Sequence, residues 1–66
     1  MNFIRVQDVR GICVFVNVDL ICGIESVAPM MHSITRSKIY LNNEWTVDSV
    51  ESSEEIMDKI LRTTTV

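Results

Sequence analysis

Three residues of the chain combine charge, an aromatic ring and a spacing that could bind a small anion. Arg36, Lys38 and Tyr40 alternate along a predicted strand, so their side chains lie on one face of it, with Thr46 and Asp48 across from them. Two cations and a phenol on one face can hold the phosphate groups of a ligand such as a nucleotide. These three are therefore the predicted ligand-binding residues, in a pocket formed between copies of the chain.

The residues that catalysis would need are not arranged for it. His32, the one histidine, lies beside Ser33 in a predicted loop, and no glycine-rich elbow surrounds either residue. Gly11 and Gly23 are the only glycines, so the sequence contains no phosphate-binding glycine loop. We expect the protein not to be an enzyme, and we predict no catalytic residue and no cofactor.

Cys13 and Cys22 lie nine positions apart, so the Cys-x-x-Cys pair typical of structural zinc sites is absent and no metal site is predicted. If Ile12–Val16 and Leu20–Val27 form a hairpin, the two cysteines could face each other and form a disulfide. The alternative for a cytosolic protein is two reduced and buried small hydrophobic side chains.

Sixty-six residues make one domain, 1–66, and a domain this small buries a limited share of its surface. Because 47% of the residues are apolar, some apolar surface is left over, and we expect a homo-oligomer to cover it. The net charge of −3 argues against nucleic acid as a partner, because nucleic-acid binders need a basic face.

The sequence begins without the basic and apolar regions of a secretory signal, and we expect a cytoplasmic protein. The longest apolar run, Ile12–Val16, is too short to span a bilayer, so no membrane partner is predicted.

Apolar alternation and turn-forming residues predict five short strands. These are Phe3–Gln7, Ile12–Val16, Leu20–Val27, Ile34–Leu41 and Trp45–Val50. Every residue of the second strand is apolar, which is typical of a central strand covered on both faces. The strands are predicted to form a small antiparallel β-meander closed by one C-terminal α-helix, an α+β fold.

The register of the last hairpin follows from burial. A three-residue loop, 42–44, places Leu41 opposite Trp45 and Ile39 opposite Val47, so four apolar side chains share the core face. A two-residue loop would place apolar residues opposite polar ones. We therefore predict the three-residue loop, with Trp45 in the core.

Two features interrupt the strands. Gly23 inside the third strand predicts a bulge or a close backbone approach. The loop 28–33 contains Met30 and Met31, which either fold over the open end of the core or form an adaptable contact surface.

The helix has a recognisable start. Ser52 and Glu55 match a capping box, in which each side chain accepts a hydrogen bond from the backbone N–H of the other residue. The helix is predicted at about 53–62, with a frayed tail at 63–66.

A series of short motifs follows in one order from Val16 to Ile60. The segments are Val16-Asn17, Ile21-Cys22-Gly23-Ile24-Glu25, Lys38-Ile39-Tyr40-Leu41, Trp45-Thr46-Val47, Glu51-Ser52, Glu54, Glu55-Ile56 and Lys59-Ile60. In this order they resemble the FlbD-like proteins, a family of small flagellar-operon and swarming-motility proteins. The resemblance implies a fold of short strands with a short C-terminal helix.

The chain departs from the family pattern at two loops. The family usually has a glycine in the hairpin, where this chain has Asn42-Asn43-Glu44, and the loop Ala28–Ser33 is longer. Similar small proteins occur in non-motile bacteria and on mobile elements, so the resemblance is used for the fold and not for a motility role.

The sequence thus favours a small interaction or regulatory module that forms homo-oligomers and could contact another protein. The alternative is an oligomeric binder, or sponge, of a small anionic ligand such as a nucleotide, encoded by a phage or mobile element. A nucleic-acid-binding regulator is the weakest hypothesis, because the chain is acidic.

Overall fold

The computed structural model describes residues 2–64, which form five antiparallel strands and one C-terminal helix, as predicted. The strands are β1 (Phe3–Gln7), β2 (Cys13–Asn17), β3 (Ile21–Ser26), β4 (Ser37–Leu41) and β5 (Thr46–Ser49), and the helix is α1 (Ser53–Thr64). A short 3-10 turn, Val18–Leu20, connects β2 to β3. Residues 63 and 64 of the predicted tail are helical, and residues 65 and 66 lie outside the described residues.

The strands form two sheets instead of one continuous meander. β1 pairs with β2, and β3, β4 and β5 pair in that order. Asn17 accepts a hydrogen bond from the N–H of Asp19 at 3.0 Å and starts the 3-10 turn, which separates β2 from β3. The two sheets meet where Asp8, just after β1, forms a bridge with Ser49 of β5.

The core lies between the sheets and the helix. Each of β1, β2, β4 and α1 contributes at least one of the buried apolar side chains, which are Ile4, Val6, Val16, Ile39 and Ile56. On β1 these residues alternate with exposed ones, as a strand with one covered face requires. The apolar stripe of α1 buries Ile56 and partly buries Ile60 against this cluster.

The predicted register of the β4–β5 hairpin is confirmed. Ile39 pairs with Val47, and the Leu41 N–H donates to the Trp45 carbonyl at 2.9 Å. The prediction that Trp45 lies in the core is wrong, because its side chain is 70% exposed. Trp45 follows the loop directly and lines an open cavity together with Val14 of β2 and the β1–β2 loop, so most of its side chain stays in solvent.

The β1–β2 hairpin turns through a loop of the same shape. The Asp8 N–H donates to the Ile12 carbonyl at 2.9 Å, as Leu41 does to Trp45 in the other hairpin. The third loop residue has a positive φ in both hairpins, 82° at Gly11 and 72° at Glu44. This is the three-residue loop in which a type I turn precedes a left-handed residue.

The two loops differ in how side chains support them. Oδ1 of Asp8 accepts hydrogen bonds from the backbone N–H groups of Arg10 at 2.9 Å and Ile12 at 3.0 Å. Oδ2 of Asp8 accepts from the Arg10 guanidinium at 2.7 and 2.9 Å. In the β4–β5 loop, Oδ1 of Asn43 accepts one hydrogen bond, from the Trp45 N–H at 3.2 Å.

The bulge predicted at Gly23 is confirmed. Ile21 pairs with Leu41 and Gly23 pairs with Tyr40, so Cys22 is the extra residue on β3. A Cβ at Gly23 would lie 3.9 Å from the Tyr40 ring, which is an ordinary contact.

The helix begins with the predicted capping box. The Glu55 N–H donates to Oγ of Ser52 at 3.2 Å, and the Ser52 N–H donates to Oε1 of Glu55 at 3.2 Å. Two buried serines fix the connection that leads into it. The Ser37 hydroxyl donates to the Glu51 carbonyl at 2.7 Å, and Oγ of Ser49 accepts from the Glu51 N–H at 3.0 Å.

Two further predictions about burial are wrong. β2 is an edge strand and not a central one, and its Phe15 side chain is 66% exposed. Met30 and Met31 do not fold over the core, since Met31 is 92% exposed. The loop closes on itself through the Ser33 N–H and the Met30 carbonyl, so its methionines point outward.

Candidate functional site

The three predicted ligand-binding residues lie on β4 and just before it. Lys38 and Tyr40 share the face opposite the buried Ile39, and Arg36 precedes the strand. The residue pairs across β5 are also as predicted, with Lys38 opposite Asp48 and Tyr40 opposite Thr46.

The third strand brings a second carboxylate to this face. Glu25 of β3 pairs with Lys38 from the other side, so Lys38 lies between Glu25 and Asp48. Cross-strand neighbours of opposite charge attract each other at this spacing. The two acidic residues therefore balance the charge of Lys38, and the face is not the basic surface that an anion would prefer.

Tyr40 forms its side-chain hydrogen bond within the sheet, with Glu25. Its ring lies over Gly23, and its hydroxyl donates to Oε1 of Glu25 at 2.8 Å. The hydrogen bond to Glu25 raises the pKa of the Tyr40 phenol, and burial and the charges of Glu25 and Asp48 raise it further. The phenol therefore stays protonated and serves as a donor to Glu25.

Arg36 lies in a different environment from Lys38 and Tyr40. It lines a cavity of about 600 Å³ together with the loop before β4 and the start of α1, where Ser52 and Ser53 contribute hydroxyl groups. Glu54 lines the same cavity, so the cavity has an acidic residue as well as a basic one. The structure thus does not bring the three predicted residues together in one cavity.

The two cysteines are free and exposed. A disulfide across a β2–β3 hairpin does not form, because β2 and β3 do not pair. The alternative prediction, that both thiols are buried, is also wrong. The Arg5 guanidinium donates to Sγ of Cys13 at 3.1 and 3.3 Å across the exposed face of β1 and β2. This hydrogen bond, with the charge interaction of the same pair, raises the pKa of Arg5.

The composition predicts surplus apolar surface but not where it lies. In the structure, part of this surface is the outer face of β1 and β2. It carries Phe15 at 66% exposure and Phe3 at 51% exposure, on either side of Arg5. Other large apolar side chains are also exposed, and of these Met57 and Leu61 share one face of α1. The others are Ile12, Met30, Met31, Ile34, Tyr40 and Trp45. A sheet face that carries two exposed phenylalanines is typical of a contact surface.

The edge of β1 that faces away from β2 is capped by an ion pair. Nζ of Lys59 donates to the Arg5 carbonyl at 2.6 Å, and Oε2 of Glu51 accepts from the Gln7 N–H at 2.8 Å. Lys59 and Glu51 also bind each other directly. A cation and a carboxylate thus occupy the backbone groups that a further strand would otherwise use.

This arrangement sets the protonation of Glu51. Burial raises the pKa of its carboxyl, but the hydrogen bonds from Lys59 and from the Gln7 N–H, with the charges of Lys59 and Arg5, outweigh burial. The net pKa lies below the ordinary value, so Glu51 stays ionised and the cap stays closed at neutral pH.

Sequence reasoning missed the two features that distinguish the β1–β2 sheet. Glu51 and Lys59 are eight residues apart, one before the helix and one inside it. No short sequence motif predicts an ion pair at this spacing. The exposure of Phe15 has no local signal either, since an all-apolar strand predicts burial. Within residues 2–64 no group of three or more histidine, cysteine, aspartate or glutamate side chains is placed to hold a metal ion.

Comparisons with known proteins find no matching family model, no matching curated protein and no matching solved structure. The resemblance to FlbD-like proteins therefore stays a prediction. Over residues 2–64, the structure contains no helix with the length and apolar character needed to cross a membrane.

Proposed function

We propose that the chain is a small, non-enzymatic interaction module that works in the cytoplasm as a homo-oligomer. The observation that supports this proposal is the exposed apolar face of β1 and β2, where Phe15 and Phe3 lie open to solvent on a sheet rather than on a loop. Contact between this face and another protein surface, with Phe15 foremost, removes apolar area from water.

The size of the effect favours association. Burying a phenylalanine side chain fully contributes about 1.5–3 kcal/mol relative to leaving it exposed. Phe15 is two-thirds exposed, so its burial alone contributes on the order of 1–2 kcal/mol per copy. Arg5 lies on the same face opposite Phe15, with its guanidinium bound to Cys13.

The anionic-ligand alternative has less support from the geometry. Lys38 already faces two carboxylates, and Tyr40 already donates to one of them. An anion would have to displace Glu25 or Asp48 from Lys38, which lowers its affinity. We therefore prefer the interaction module, with regulation of a partner protein as its setting.

Self-association is tested by sedimentation velocity or light scattering over a range of micromolar protein concentrations. The expected result is a molar mass that rises with concentration above that of one chain. Because apolar contacts carry the association, the rise should persist at high salt. A single-chain mass at every concentration would contradict the proposal.

The alternative is tested by thermal shift with a panel of nucleotides. Under the proposed function the melting temperature does not change. A stabilisation that disappears in the variant Lys38→Ala, and survives in the charge-matched variant Arg62→Ala on the helix, would instead favour the anionic-ligand binder.

A further inference from the structure

The strand β2 has one paired edge and one open edge. The backbone groups of Ile12 and Val18 pair toward β1, with the Asp8 N–H donating to Ile12 at 2.9 Å and the Val18 N–H donating to Asn2 at 2.8 Å. Hydrogen bonding alternates along an antiparallel strand. The backbone groups of Cys13, Phe15 and Asn17 therefore point away from β1, and among residues 2–64 no strand pairs with them.

Nothing along this edge deters another strand. Natural edge strands are protected by lysine, proline, bulges or a covering element. The segment Cys13–Asn17 contains no charged residue and no proline, and its pairing with β1 is free of bulges. The opposite edge of the same sheet is capped by Lys59 and Glu51, so the chain blocks one edge and leaves the other open.

We propose that the open edges of β2 from two copies pair antiparallel about a twofold axis at Phe15, which makes one continuous four-stranded sheet from β1 and β2 of both copies. This inference rests on the proposed function and names its partner, a second copy of this chain. Pairing at Phe15 places each Phe15 opposite its counterpart, and Cys13 opposite the partner's Asn17.

The hydrogen-bonding groups fit this register. Both Phe15 residues present their N–H and C=O toward the axis, so they exchange two hydrogen bonds. The Asn17 N–H of each copy donates to the Cys13 carbonyl of the other. A one-residue shift would place backbone groups that point toward the partner's β2 opposite backbone groups that point toward the partner's own β1. These groups could not form hydrogen bonds, so this register is excluded.

The side chains fit it as well. The two Phe15 rings lie directly opposite each other on the outer face, with Phe3 of each copy diagonal to its own Phe15. Arg5 lies opposite Phe15 on β1, so the two Arg5 residues are three strand spacings apart, about 14 Å. This separation exceeds the Debye length of about 8 Å at physiological salt, so the two cations do not oppose pairing.

The buried area indicates a small, reversible interface. Five edge residues with a largely exposed phenylalanine at their centre bury on the order of 500 Å² per copy, which totals about 1,000 Å². That total is near the lower limit for a specific interface. We therefore expect a reversible dimer with a dissociation constant in roughly the micromolar range.

The first experiment changes the axis residue. Phe15→Lys places two like charges opposite each other, and Phe15→Pro removes the outward N–H while keeping every hydrogen bond to β1. Both should weaken dimerisation at least about tenfold by sedimentation, with the circular dichroism of the fold retained. Trp45→Lys is the matched control, because it removes an aromatic ring of similar exposure from another surface and should leave the dimer unchanged.

The second experiment tests the register. In the background Cys22→Ser, the variant Asn17→Cys places a new thiol opposite Cys13 of the other copy, within the Cα separation of about 5.5 Å that allows a disulfide. Mild oxidation should give a covalent dimer whose peptides link positions 13 and 17. The control Asn17→Ser in the same background should stay uncrosslinked.

The outcomes separate this inference from the proposed function. A dimer that survives Phe15→Pro and forms no 13–17 link would overturn the β2 pairing and leave self-association standing. A wild-type chain that is monomeric at all concentrations would overturn both, and would leave the β2 edge to a strand from a different protein or to solvent.

Discussion

The loop between β1 and β2 and the loop between β4 and β5 have the same backbone shape but reach it with different residues. Both contain three residues, and in both the third has a left-handed conformation. The first loop uses glycine at that position and a buried carboxylate, Asp8, that binds two backbone N–H groups. The second uses Glu44 at that position and a single hydrogen bond from Asn43.

The difference lies in the loops and not in the burial of the two hairpins. Both hairpins bury an inner face, with Ile4, Val6 and Val16 on β1 and β2 and Ile39 on β4. Side-chain hydrogen bonds to the backbone are more numerous in the β1–β2 loop, where Asp8 accepts two of them, than in the β4–β5 loop, which has one.

The largest effect is expected from Asp8→Ala. The change removes the acceptor of two backbone N–H groups, those of Arg10 and Ile12, and the partner of the Arg10 guanidinium. The melting temperature should fall several times further than in Asn43→Ala, which loses one hydrogen bond worth about 0.5–1.5 kcal/mol. Equal losses in the two variants would show that the loops depend on side chains to the same extent.

Gly11→Ala should have the next largest effect. At a φ of 82° an alanine Cβ costs about 1–2 kcal/mol even though the space around it is empty. Urea denaturation should show that loss. Gly23→Ala is the matched control, because Gly23 is not in the left-handed region and a Cβ there makes an ordinary contact, so its free energy of unfolding should change by less than about 0.5 kcal/mol.

Glu44→Gly should stabilise the protein. Glycine relieves the left-handed strain but adds freedom to the unfolded chain, so the net gain is about 0.5–1 kcal/mol. Glu44→Ala removes the same charge without relieving the strain, and it should show no gain. A gain in both variants would assign the effect to the charge rather than to the backbone.

The smallest effect is a pH dependence confined to the first loop. Burial raises the pKa of Asp8, but hydrogen bonds from Arg10 and from the Ile12 N–H outweigh it, so the net pKa is lowered. Because the folded pKa is below the unfolded one, the contribution of Asp8 is full above the unfolded value of about 3.9 and is lost as the pH falls through the folded value. Amide resonances of Arg10 and Ile12 should shift in that acid range, while that of Trp45 stays constant.

The control for this titration is Asp8→Asn, which keeps a side-chain oxygen but has no proton to bind. In that variant the acid shift at Arg10 and Ile12 should disappear. A shift that remains would assign it to another carboxyl, with Glu51 the first candidate, because its pKa is also lowered.

Local chemistry predicted a large part of the fold. The β4–β5 register follows from four apolar residues and a loop length, and the helix start follows from Ser52 and Glu55. The bulge follows from Gly23. Each of these depends on residues within a few positions of one another, so one stretch of sequence contains the whole pattern.

What the sequence could not predict depends on which surfaces meet. Phe15 lies in an apolar strand and Trp45 directly precedes β5, and the exposure of both depends on which surfaces the assembled sheets and helix cover. The charge balance around Lys38 depends on Glu25, which β3 brings alongside β4 only after the bulge sets the register. Composition predicts surplus apolar surface, but only the assembled sheets locate it on β1 and β2.

The capped edge of β1 also orders events during synthesis. The Arg5 carbonyl receives its donor from Lys59, which is 54 residues later in the chain, and the Gln7 N–H receives its acceptor 44 residues later. The hairpin of β1 and β2 is local and can form early, but its second edge stays uncovered until Glu51 and Lys59 have been made. Until then, both edges of this hairpin are open on a nascent chain. Once Glu51 and Lys59 cap the β1 edge, only the β2 edge of the hairpin remains available for assembly.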